Sequence, residues 1–182
     1  MTKKERIVAK AKELGKENER KYIGCSQSSF AAIVDAFRSE GIELFTPQEQ
    51  EKVFKGMVGL QGGTGGTGSG TCGAVTGPSF CVSMVANIGP KEQLENKYAG
   101  SASCANVING VTSKFVKEFG SINCRDICFR RWGRVLDFCR PDTMREFLEK
   151  AKDRPECQDT RCTIAFGAGC GAEQICDIMK IE

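Results

Sequence analysis

From Lys3 to about Lys21 the chain consists largely of Lys, Glu, Arg and Ala, and the apolar positions Ile7, Ala11 and Leu14 return at intervals of three and four. That period predicts an amphipathic helix with Thr2 as its N-cap. After Gly24 the pattern resumes with Phe30, Ile33, Val34 and Phe37 on one face, predicting a second helix that ends near Gly41 and puts Cys25 at its N-terminus. Thr46 followed by Pro47 marks the cap and first residue of a short helix that runs to Met57.

The segment from Gln61 to Gly77 holds eight glycines in seventeen residues, too many for a stable helix or strand, so it predicts a loop. From Cys72 to Ile88 the chain is almost wholly apolar and interrupted by Pro78, which predicts a buried helix with a kink or a late start. Residues 92–119 carry Val107, Ile108, Val111, Phe115, Val116 and Phe119 at helical spacing, closed by Gly120. Asn123 then caps a helix that places Cys124 and Cys128 at i and i+4, on one face. Pro141 opens another short helix, and a terminal helix starts at about Arg161 despite Gly167, Gly169 and Gly171. No alternating apolar run of strand length stands out, so the expected architecture is all-α: a single-domain helical bundle with a glycine-rich loop.

Composition changes this picture at two points. The chain has eleven cysteines and no histidine in 182 residues. The missing histidine excludes Ser-His-Asp and Cys-His catalysis, His-ligated zinc and His-ligated haem from this chain alone, so a metal would sit on thiolates and carboxylates. The net charge of +3, with both signs mixed along the chain, gives no basis for expecting nucleic-acid binding. The charged stretch from Met1 to Arg20 has no apolar core of a signal peptide, and no run reaches the roughly eighteen apolar residues of a membrane span. The expectation is a cytoplasmic protein with no membrane partner. There, reduced cysteines point to metal binding or redox chemistry in place of a disulfide scaffold.

The cysteines are Cys25, Cys72, Cys81, Cys104, Cys124, Cys128, Cys139, Cys157, Cys162, Cys170 and Cys176, with no Cys-x-x-Cys among them. This argues against a thioredoxin-type dithiol, a zinc ribbon, covalent haem attachment and the compact ferredoxin run. A site would gather single cysteines from separate segments, each near a helix start or a glycine turn. Cys25, Cys72, Cys124 and Cys162 fit that description, and most of the others read as core residues. The glycine run suits backbone N–H donors to cluster sulfurs better than a phosphate cradle. It lacks the Lys-Ser/Thr ending of a Walker loop, and no apolar strand precedes Gly63-Thr-Gly-Gly-Thr-Gly68.

Tyr22-Ile-Gly-Cys25-Ser-Gln-Ser, Gly70-Thr-Cys72-Gly-Ala-Val-Thr-Gly77, Phe119-Gly-Ser-Ile-Asn-Cys124-Arg-Asp and a late cysteine before the last helix together resemble the redox-active proteins named for the pattern Cys, Gly-Cys-Ala-x-x-Gly, Cys, Cys. The resemblance spans roughly residues 5 to 178. This family is similar to the iron–sulfur-binding part of split-Soret cytochromes, which implies an all-helical fold, an iron–sulfur cluster on the signature cysteines and a homodimer. Carried over, the ligands are Cys25, Cys72, Cys124 and, as the fourth, Cys162, with Gly70 and Gly73 beside the cofactor. Cys157 and Cys170 compete for the fourth place, and Cys128 and Cys157 are candidates for a larger or second cluster. The glycine follows Cys72 where the pattern has it before, and Pro78 stands where a small apolar residue is expected. The Cys-x-x-Cys-His haem site is missing, so no haem is expected.

The expected function is therefore cluster-based electron transfer to or from a redox partner protein. Three other readings of the same residues stay open: thiol–disulfide redox or sensing chemistry at Cys25, a structural zinc held by thiolates, and an enzyme acting on a small molecule at an open cluster. The five arginines between Arg125 and Arg140, with Trp132, suit a docking surface for an acidic partner and equally suit the solvated face of a helix.

Overall fold

The computed structural model describes residues 1–135, 137–152 and 162–182. These form α1 (Lys3–Tyr22), α2 (Cys25–Ser39), α3 (Pro47–Met57), α4 (Gly73–Ala86), α5 (Pro90–Glu95), α6 (Ala99–Val107), α7 (Ser113–Phe119), α8 (Cys124–Trp132), α9 (Pro141–Lys152) and α10 (Thr163–Met179). Among the described residues there is no strand, and the all-α expectation holds.

The helix starts follow from local chemistry. Thr2 and Thr46 each accept the N–H three residues on, while Glu5 and Glu49 return a carboxylate to the cap backbone, closing two capping boxes. Asn123 caps α8 through Arg125 N–H at 2.9 Å. Each such cap is worth about 1 kcal/mol.

Helices α1, α2, α4 and α10 pack on one another to make the core, with α3 against α2 and α6 against α4. Phe30, Phe37, Ile33, Val34, Val82, Ile175 and Phe115 are fully buried within it. The helices approach closely because small residues line their contacts. A Cβ at Gly15 would stand 2.8 Å from Ala165 Cα, so α1 and α10 nearly touch backbone to backbone. Pro78 lies inside α4, where it lacks the N–H that would bond the carbonyl of Ala74. That freed carbonyl faces Gly167 of α10.

The long helix expected over 92–119 is interrupted twice. Residues Asn96 to Tyr98 leave helical geometry between α5 and α6, and a π turn over Ile108–Thr112 separates α6 from α7. The π turn coincides with Gly110, which is packed directly beneath the Gln174 side chain of α10, so a tertiary contact decides it. The terminal helix begins at Thr163 with Cys162 as its N-cap.

Among the described residues, no helix is long and apolar enough to cross a membrane.

Candidate functional site

Two loops bring the cysteines together. At the α1–α2 turn Ile23 adopts a left-handed conformation at φ 64°, unusual for a β-branched residue, with its N–H bonded to Glu19 O. This abrupt turn lets α2 begin at once with Cys25. The glycine-rich loop bonds to itself through Gly68 N–H to Gly62 O at 2.9 Å and Gly70 N–H to Gly63 O at 3.0 Å. Gly62 and Gly63 supply the positive φ this path needs, and a Cβ on Gly63 would come within 2.8 Å of Cys124 Cβ.

The loop is then pinned to the segment ahead of α8. Thr71 and Asn123 form an isolated antiparallel bridge, with Cys72 N–H bonded to Ile122 O at 2.8 Å and Cys124 N–H to Gly70 O at 2.9 Å. The Asn123 amide donates to Ser69 O at 2.8 Å. One bridge therefore sets Cys72, the N-cap of α4, beside Cys124, the first residue of α8.

Cys25, Cys72, Cys124 and Cys128 all line one cavity of about 530 Å³. Ile127, Trp132, Phe138, Met144 and Phe147 contribute apolar walls, and Glu19 and Arg131 bring charge to the edge. Arg131 is held by Thr163 Oγ1 at 3.2 Å and lies over the Trp132 ring. Cys162 is fully buried and is not among the residues lining this cavity. Its Sγ accepts from Ala165 N–H at 3.5 Å and donates to Glu19 Oε2 at 3.4 Å.

The sulfurs fall into two pairs. Cys25 is held below the usual thiol range, to about 7, chiefly by the hydrogen bond from the Cys72 thiol and then by the N–H groups of Gly62 and Gly73. Cys72 is correspondingly pushed up by keeping that proton and by burial. Cys124 and Cys128 stand 3.9 Å apart through sulfur. There the hydrogen bond between them raises Cys124 and lowers Cys128, and the Arg131 charge lowers Cys128 further. Positioned N–H donors and helix starts favour thiolate in this way.

Because only the thiolate alkylates, iodoacetamide labelling of the reduced, iron-free chain is expected to rise at Cys25 through a midpoint near pH 7, and to fall away below it. Peptide mass mapping across a pH series checks this. A midpoint at the free-cysteine value of about 8.5 would contradict it.

Of the two glycines singled out in the sequence, Gly73 packs directly against the Cys25 sulfur and its backbone helps lower that thiol, whereas Gly70 uses its N–H within the loop and its carbonyl to position Cys124. The donor that sequence reasoning missed is Gly62, whose N–H reaches Cys25 Sγ at 3.5 Å. Cys81, Cys170 and Cys176 are buried in the helical core, with thiols pushed up by burial, and Cys104 and Cys139 are exposed. Cys157 lies outside the described residues. The arginine stretch splits. Arg131 faces the cavity, while Arg134 and Arg140 pair on the surface with Glu146 and Asp142.

No curated protein matches this chain, and no solved structure does. A family model does, described as Putative redox-active protein (C_GCAxxG_C_C), and it covers residues 23–166, well over half of the chain. That range takes in Cys25, the glycine loop with Cys72, and Cys124 and Cys128 of α8, so all four cavity cysteines lie within it. The chain belongs to the C_GCAxxG_C_C family of redox-active proteins.

Proposed function

We propose that this protein binds an iron–sulfur cluster in the cysteine-lined cavity and transfers electrons through it. The observation that carries the reading is that Cys25, Cys72, Cys124 and Cys128, drawn from three distant segments, all line one cavity. The donor set fits the group: thiolates are the ordinary ligands of such clusters. Among the described residues no three Cys, Asp or Glu side chains stand together as ligands to one ion.

Cys25, Cys72 and Cys124 would hold the cluster, and a fourth thiolate completes the set. The bound group would supply one-electron transfer. The Gly62 N–H donates to the Cys25 sulfur and disperses its negative charge, which raises a cluster's potential. Trp132, Phe138 and Phe147 restrict water at the cavity wall. The reading carries with it a separate redox partner protein, a reducing cytoplasmic setting and, from the resemblance, a homodimer.

The contact between Cys25 and Cys72 favours a second reading, dithiol–disulfide chemistry, in which the two thiols lose two electrons and two protons as the S–S bond forms. Reversible bleaching separates the two. Under the first reading the anaerobically reconstituted protein is brown, loses visible absorption on reduction with dithionite and regains it on mild reoxidation. A colourless protein whose Cys25 and Cys72 simply interconvert between thiol and disulfide supports the second reading and removes the first.

A further inference from the structure

Resting on the cluster reading, we propose that Cys128 supplies the fourth thiolate and that Cys162 serves as the N-terminal cap of α10. The sequence pattern of the family points to Cys162, and geometry points elsewhere. Cys128 lies one helical turn beyond Cys124, on the same face of α8, with its sulfur 3.9 Å from that of Cys124 and at the cavity wall. One rigid helix thereby offers two adjacent sulfurs, and the Thr71–Asn123 bridge fixes that helix against the loop that carries Cys72. Cys25 and Cys72 line the same cavity.

Cys162 is committed to different partners. Its sulfur takes the N–H of Ala165, as a capping side chain does, and its thiol hydrogen is directed at Glu19 Oε2, whose residue is itself buried and lines the cavity. To ligate iron, Cys162 would have to release both bonds and place a thiolate against that carboxylate. The start of α10 has little room to shift, because α1 and α4 crowd it at Gly15 against Ala165 and at Gly167 against Ala74.

Serine makes the test clean at position 162, because its hydroxyl can accept the same Ala165 N–H and donate to the same carboxylate while removing the thiolate. Wild type, Cys162→Ser, Cys128→Ser and Cys128→Ala are each reconstituted anaerobically with iron and sulfide, and bound iron and visible absorption are measured per chain. Circular dichroism of the iron-free forms reports the fold. Cys162→Ser is expected to retain wild-type iron and an unchanged melting temperature. Both Cys128 variants are expected to lose most of the iron with their helical signal intact. Full iron in Cys128→Ala, or loss of iron from a well-folded Cys162→Ser, overturns the assignment. If wild type itself takes up no iron, the cluster reading fails first, and the assignment with it.

Discussion

Gly167→Ala is expected to destabilise the protein by about 3 kcal/mol, at the upper end of the overpacking range. A Cβ at this position would overlap the Ala74 carbonyl oxygen and stand 3.2 Å from Phe115 Cε2. Neither neighbour can yield cheaply. The carbonyl belongs to the backbone of α4, and it is in this position because Pro78 donates no hydrogen bond to it. Phe115 is fully buried, edge-on to Phe166 and tilted against Phe119. A helix-interior Gly→Ala change on an open face would be stabilising by up to about 1 kcal/mol, so the sign of the effect is itself diagnostic. Urea unfolding of the iron-free protein measures it as a lower midpoint at unchanged slope. A change within about 0.5 kcal/mol of zero would mean that α4 and α10 are not in backbone contact.

Gly73→Ala is expected to strike the site harder than the fold, removing most of the bound iron while costing about 1–2 kcal/mol, less than the change at Gly167. A Cβ here would overlap Cys25 Sγ and stand 2.8 Å from Ser26 N. Cys25 can rotate away, but the backbone of α2 cannot, so the two helix starts that present Cys25 and Cys72 must part. The conformation at position 73 is one that alanine accepts, and alanine is the better helix former, which offsets part of the strain. Iron content per chain after reconstitution, read beside the urea midpoint, separates site from fold. Wild-type iron in this variant would show that the close approach of α2 and α4 is not needed to gather the sulfurs.

Much of this was legible in the residues, where the signals were local. Thr2, Thr46 with Pro47, and Asn123 act within one turn of themselves, so the starts of α1, α3 and α8 follow from the sequence. The placing of Cys25, Cys72, Cys124 and Cys162 at helix starts was visible for the same reason. Features that depend on distant partners were not. The breaks at Asn96–Tyr98 and at Ile108–Thr112 fall in a stretch whose apolar spacing is helical, and at the second the Gln174 contact from α10 decides the matter. The bridge between Thr71 and Asn123 joins residues with no complementary pattern in the chain. Gly62 could not be distinguished as a sulfur donor from the glycines around it, since its role is set by where the loop closes against α2. Cys128 was placed on the face of Cys124 by its spacing alone, but its presence at the cavity wall required the docking of α8.

Chemical analysis of the wild-type protein, purified or reconstituted without oxygen, decides whether the cysteine cavity holds the proposed iron–sulfur cluster. With the cluster bound, iron and acid-labile sulfide are expected in equal amounts, in fixed proportion to chain, with broad visible absorption that disappears when Cys25, Cys72 or Cys124 is changed to serine. A protein that stays colourless and binds neither iron nor sulfide, or that binds zinc in stoichiometric amount instead, would contradict it.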